Sequence, residues 1–84
     1  MEQYVMALDQ GTTSSRAIIF DGRGAIAGVG QVPFRQHFPQ PGWVEHDPDE
    51  ILSSQLEAMH MAVERGRLSP SQIAGIGITI TSEN

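Results

Sequence analysis

From Tyr4 to Leu8 the chain is apolar, and it then breaks at Asp9-Gln10-Gly11-Thr12-Thr13-Ser14-Ser15, a cluster of turn formers and hydroxyls. The pattern predicts a buried strand that stops where a polar loop begins. Apolar character returns from Arg16 through Ala17, Ile18, Ile19 and Phe20, β-branched and aromatic enough for a second strand, and ends at the turn Asp21-Gly22-Arg23-Gly24. Ala25 to Phe34 predicts a third strand. Gly28 and Gly30 weaken it, and their missing side chains point to a bulge or to the close approach of another backbone. Strands joined by such short turns make an antiparallel meander.

Between Arg35 and Asp47 the residues Pro39, Pro41 and Gly42 surround a single Trp43, the pattern of an ordered loop pinned by its indole. Helix signals follow. Asp47 suits the N-cap, Pro48 the first helical position, and Glu50 the third position of a capping box, where acidic charge also complements the helix dipole. Leu52, Leu56, Met59 and Val63 recur at spacings of four, three and four, which predicts a core-facing stripe with Glu57 and Glu64 off it. Gly66 is the expected stop. After a Ser69-Pro70 turn, Ala74 to Thr81 alternates isoleucine with glycine or threonine, so a last strand is expected whose glycine face is flat enough for a helix to lie close.

The order strand, strand, strand, helix, strand makes the helix a crossover that returns the fourth strand parallel to the first. The expected class is therefore α/β: a three-stranded antiparallel meander, a crossover helix, then a parallel strand with an open edge.

At 84 residues the chain is at most one small domain of marginal stability. With 39% hydrophobic and 18% charged residues it does not have the profile of a disordered segment. Ten acidic residues against five arginines, with no lysine, give a net charge of -5, which repels nucleic acid. There is no cysteine, hence neither a disulfide nor a thiolate metal site. The start carries Glu2 rather than a basic segment, and no apolar run reaches the roughly 18 residues of a membrane span. These features together lead us to expect a soluble cytoplasmic protein.

The richest chemistry lies between Asp9 and Arg16. Gly11 lets a backbone approach a phosphate, and backbone amides with the hydroxyls of Thr12, Thr13 and Ser14 can donate to its oxygens. Arg16 can neutralise charge developing on a transferred group. Asp9 suits magnesium, which takes one or two carboxylates beside substrate phosphates. A Walker loop is excluded, because its lysine does not exist in this chain. From residue types alone the same segment equally fits a polar hairpin turn capped by its own hydroxyls.

The wording of the motif separates the two. Ala7-Leu8-Asp9-Gln10-Gly11-Thr12-Thr13-Ser14-Ser15-Arg16 resembles, almost letter for letter, the phosphate loop of the sugar and polyol kinases built on a duplicated actin-like, ribonuclease-H-like ATPase core, and within them the glycerol kinase branch. Pro41-Gly42-Trp43-Val44-Glu45-His46-Asp47-Pro48 is similar to the stretch leading into that family's first helix, and Ile76-Gly77-Ile78-Thr79 extends the likeness to Thr79. The resemblance implies that residues 1–84 are the N-terminal part of the first actin-like domain, truncated, with the second domain absent. It implies ATP or ADP as nucleotide, bound through Thr12, Thr13, Ser14 and Arg16, with magnesium organised by Asp9. Asp9 and Arg16 are thereby the expected catalytic groups. Glycerol or a similar polyol is the implied substrate, with Thr12 near the phosphorylated product, and a dimer or tetramer is the implied assembly.

The family's general base and closing half lie beyond residue 84, so the chain alone is expected to be inactive. Family members place an Arg-Glu pair after the Ile-Gly-Ile-Thr strand. Here Ser82 stands on the arginine position and Glu83 on the glutamate position, so Glu83 is the expected substrate contact and Ile80 to Asn84 an altered tail.

His37, His46 and His60 show no metal-pair spacing. His46 reads as a helix-entry hydrogen-bonding residue, and Met59 and Met61 as core fillers. The Gly-x-Gly pairs at Gly22, Gly28 and Gly75 lack the third glycine of a dinucleotide fingerprint.

Overall fold

The computed structural model describes residues 3–11, 13–33 and 48–80. The element order is β1 (Tyr4–Gln10), β2 (Ser14–Phe20), β3 (Ile26–Pro33), α1 (Pro48–Arg65), a short 3-10 turn (Pro70–Gln72) and β4 (Ile73–Ile80). Together the strands form one sheet in the order β3-β2-β1-β4. The β1–β2 and β2–β3 pairs are antiparallel, while β4 runs parallel to β1. This is the expected meander with a crossover helix, and β4 is an edge strand.

The polar loop is shorter than the sequence suggests. Asp9 and Gln10 belong to β1, and Ser14 and Ser15 to β2, with Gln10 opposite Ser15. Cross-strand pairing claims these residues because the flanking apolar runs are already in register, and each further pair adds ladder hydrogen bonds. The Asp21 turn matches expectation. Its carboxylate Oδ1 accepts from the amides of Arg23 at 2.8 Å and Ala25 at 2.9 Å, and Gly24 takes the left-handed conformation at φ 84°. The amide of Ala25, then that of Arg23, holds the Asp21 carboxyl below its ordinary value of 3.8.

Lowered in the folded state, that pKa makes the Asp21 contribution to stability complete above 3.8 and lost as pH falls through the lower folded value. Thermal melts of the chain and of Asp21→Ala from about pH 6 to about pH 2 should therefore converge as the solution becomes acidic. A stability difference that stays constant over that range would contradict the turn's electrostatics.

Two expectations about the helix are corrected. The residues that α1 buries are Ser54, Ala58 and Ala62, whereas Leu52 and Leu56 remain 60% and 55% exposed. Met59 and Val63 pack partly against the core. The helix lies over β3 and β2, where Gly28 and Gly30 face it. A Cβ built on Gly30 would meet the Ala58 carbonyl oxygen, with the Ala62 amide nitrogen at 2.8 Å; one on Gly28 would meet the Ala62 carbonyl oxygen. Small residues on both surfaces let the backbones come together, and that contact outweighs the wider leucine stripe. The close approach foreseen at Gly28 and Gly30 is thus observed. A register shift between Ile19 and Phe20 adds the bulge. Among the described residues the flat face of β4 receives no helix, since nothing lies within 4 Å of a Cβ added at Gly75 or Gly77.

Helix α1 ends in a Schellman arrangement, in which Leu68 N donates to Val63 O at 3.0 Å and Arg67 N to Glu64 O at 3.1 Å. The left-handed residue is Arg67 at φ 55°, not Gly66. Gly66 instead lies against β3, with the Ala27 carbonyl oxygen 3.0 Å from the position of an added Cβ. The Ser69-Pro70 turn becomes the 3-10 turn, closed by a capping box between Ser69 and Gln72. Met6, Leu8, Ala17, Ile19, Ala58 and Ala62 form the core between sheet and helix. Asp47, the expected cap, and Trp43 fall outside the described residues.

Candidate functional site

Strand alternation divides the Asp9–Arg16 segment between the two faces of the sheet. Gln10 and Ser15 point toward α1. Ser15 is fully buried, its Oγ donating to Gln10 Oε1 at 3.3 Å and lying 2.9 Å from Ser54 Oγ, which in turn donates to the Ile51 carbonyl at 2.9 Å. This polar chain ties β1, β2 and α1 together beneath the hairpin. Gln10 Nε2 is buried with no acceptor among the described residues.

Asp9 and Arg16 stand on the opposite face as a cross-strand pair. The Arg16 guanidinium donates to the Asp9 carboxylate at 2.8 Å, with the side chains 43% and 21% exposed. Two residues beyond, the hairpin is closed by Gly11 N donating to Ser14 O at 3.0 Å. A Cβ at Gly11 would make only ordinary contact, with Ser14 O at 3.4 Å. Nothing among the described residues therefore requires glycine there. Thr13 is exposed at the tip. Thr12 and Glu83 lie outside the described residues, as do Ser82, His37 and His46.

Two further residues belong to this constellation and were not singled out in the sequence. Gln31 of β3, opposite Arg16, donates from Nε2 to Ser14 Oγ at 3.1 Å. Gln55 of α1 donates to the Arg16 carbonyl at 3.2 Å and so fixes the strand that carries the guanidinium. An amide inside an apolar strand was the available signal for Gln31. For Gln55 there was none, because its role depends on which helix face meets β2.

The arrangement collects a carboxylate, a guanidinium, hydroxyls and a tight hairpin on one solvent-facing end of the sheet. Among the described residues no three His, Cys, Asp or Glu side chains gather as a metal cage. His60 Nε2 lies 3.5 Å from Glu64 on the exposed side of α1. The partly open Asp9 carboxylate does fit a magnesium ion that is held mainly by waters and substrate oxygens.

The family model described as "FGGY family of carbohydrate kinases, N-terminal domain" matches residues 4–84. The chain belongs to this family. A relative among the FGGY kinases is the glycerol kinase of Thermococcus gammatolerans, 58% identical over 79 residues, which cover 94% of this chain and 16% of that protein. The chain thus spans about 16% of the length of such curated relatives. Among solved structures, the gluconate kinase from Lactobacillus acidophilus superposes with a TM-score of 0.85 at 20% identity, covering 96% of this chain and 16% of that one. The Plasmodium falciparum glycerol kinase solved with ADP gives a TM-score of 0.72 at 24% identity, covering 95% and 16%. These likenesses carry the fold: the meander, crossover helix and parallel strand are shared with these solved kinases. No helix among the described residues is long and apolar enough to cross a membrane.

Proposed function

We propose that these residues form the nucleotide-phosphate end of a kinase that transfers the γ-phosphoryl group of ATP to a terminal hydroxyl of glycerol, giving glycerol 3-phosphate. The observation that carries this reading is the 58% identity with a glycerol kinase across nearly the whole chain. In this reading the hairpin amides and the hydroxyls of Thr12, Thr13 and Ser14 donate to ATP or ADP phosphate oxygens, and the Arg16 guanidinium neutralises their charge. Magnesium would be held by Asp9 with waters, and it would supply further charge neutralisation on the phosphates. The Asp9–Arg16 pair holds both groups at the mouth of the hairpin before a ligand arrives, which lowers the cost of ordering them. Gly11 supports the same reading, since its missing side chain serves no internal contact. Thr12 and Glu83 are assigned to the polyol side of the site.

Positioning and electrostatic stabilisation account for most of the rate in such a transfer, so residues that hold charge in place matter most. A coupled ADP-release assay on the complete enzyme should show turnover with glycerol well above that with gluconate or xylulose. Turnover with one of those sugars and none with glycerol would overturn the substrate assignment while leaving the kinase reading intact.

A further inference from the structure

We propose that Gln31 is a positioning residue that sets the direction of the Ser14 hydroxyl proton, so that Ser14 meets a nucleotide phosphate as a donor. The inference rests on the nucleotide reading above and extends it to a strand outside the phosphate hairpin. Across the sheet, Gln31 of β3 stands opposite Arg16 of β2, and Arg16 opposite Asp9 of β1. The three positions form one polar row on the face turned away from α1. From this row the Gln31 amide reaches diagonally to Ser14, donating from Nε2 to Oγ at 3.1 Å.

A serine hydroxyl has one proton to give and two lone pairs to offer. Left alone it rotates, and it can present either to an approaching group. When Gln31 donates to Oγ, one lone pair is occupied and the proton is directed away from the amide. An anion arriving at the hairpin then meets a proton rather than a lone pair. A hydroxyl that accepts a hydrogen bond is also polarised into a stronger donor. The Ser14 backbone is held at the same time, because its carbonyl accepts from Gly11 N at 3.0 Å. Ser14 is thus clamped through its main chain by Gly11, just past β1, and through its side chain from β3.

Residue type at position 31 matters for the same reason. A neutral amide donates to Ser14 without drawing Arg16 away from Asp9, as a carboxylate there would, and without competing for Asp9, as a second cation would. Glutamine is exposed at this place, and its reach, not its burial, is what the site uses.

The test is a titration of the isotope-labelled complete enzyme with Mg-ATP, followed through the amide signals of Gly11, Thr13 and Ser14. Gln31→Ala should weaken binding about three- to tenfold, the effect of one hydrogen bond. Gln31→Met keeps the bulk on β3 without the donor and should match it, which separates the effect from any disturbance of the strand. Gln31→Glu should bind more weakly still, because its carboxylate accepts the Ser14 proton and repels phosphate. In a Ser14→Ala background, Gln31→Ala should cause no further loss, a coupling that a merely structural role would not produce. Unchanged affinity in Gln31→Ala and Gln31→Met, or an additive loss in the Ser14→Ala background, overturns the proposal alone. The absence of any saturable shift in the unsubstituted complete enzyme overturns the nucleotide reading and this inference with it.

Discussion

Gly30→Val is expected to abolish the cooperative thermal transition of the chain, read by far-ultraviolet circular dichroism. The added side chain would point straight at α1. Its first carbon alone would meet the Ala58 carbonyl oxygen, the Ala62 nitrogen at 2.8 Å and the Met61 Cβ at 2.9 Å. Two of these are helix backbone atoms and cannot turn aside as the end of a side chain can, so the helix has to lift off the sheet. Lifting it uncovers Ala17, Ile19, Ala58 and Ala62, all at 0% exposure and most of the core among the described residues.

Overpacking a tight core costs about 1–3 kcal/mol and sometimes more. Chains of this size have only roughly 0.05–0.15 kcal/mol of stability per residue to oppose it. Gly30→Ala should therefore lower the midpoint by about 10 °C, at about 4–8 °C for each kcal/mol, and valine should go beyond what the fold can absorb. Gly75→Ala and Gly22→Ala are the controls, since nothing lies within 4 Å of a Cβ at either position. Their midpoints should move by a few degrees at most. A Gly30→Val chain melting beside them would contradict the described helix–sheet contact.

For binding, the largest loss is expected from Arg16→Ala: at least a tenfold fall in Mg-ATP affinity by calorimetric titration, the range of a hydrogen bond to a charged group. Two effects act in the same direction. The guanidinium is lost, and the Asp9 carboxylate that it meets at 2.8 Å is left facing the phosphates without that partner. Arg16→Lys should be intermediate, because it restores charge but not the planar fork that can engage a carboxylate and a phosphate together. Adding Asp9→Asn to Arg16→Ala should recover part of the affinity for ATP without magnesium. Folding should change little, since the pair is partly exposed and such pairs contribute about 0–1 kcal/mol. Identical heats for the chain and Arg16→Ala would remove the hairpin from the nucleotide site.

Much of the candidate site was legible because it is local. A carboxylate, a glycine, hydroxyls and an arginine between two apolar runs already describe a polar hairpin, and pairing in register then places Asp9 beside Arg16. The contributions of Gln31 and Gln55 were not legible in that way. Gln31 reaches Ser14 across 17 residues and Gln55 reaches Arg16 across 39. Neither separation leaves a spacing to read, because the contacts exist only once β3 and α1 have docked on β2.

The sequence by itself determined the order of the elements, the turn at Asp21 and the polar groups that the hairpin carries. Those are settled by side-chain alternation, by the conformations that Asp, Gly and Pro favour, and by groups that lie next to one another in the chain. Only the tertiary structure decided which side of α1 is buried. A helical period counts apolar positions and predicts Leu52, Leu56, Met59 and Val63, but burial also depends on the shape of the surface that the helix meets. Gly28 and Gly30 leave β3 without side chains there, and the Ser54, Ala58 and Ala62 face fits it closely enough for the two backbones to touch. Close packing over the shared surface decided the contact, and two of the larger apolar side chains, Leu52 and Leu56, were left open to solvent.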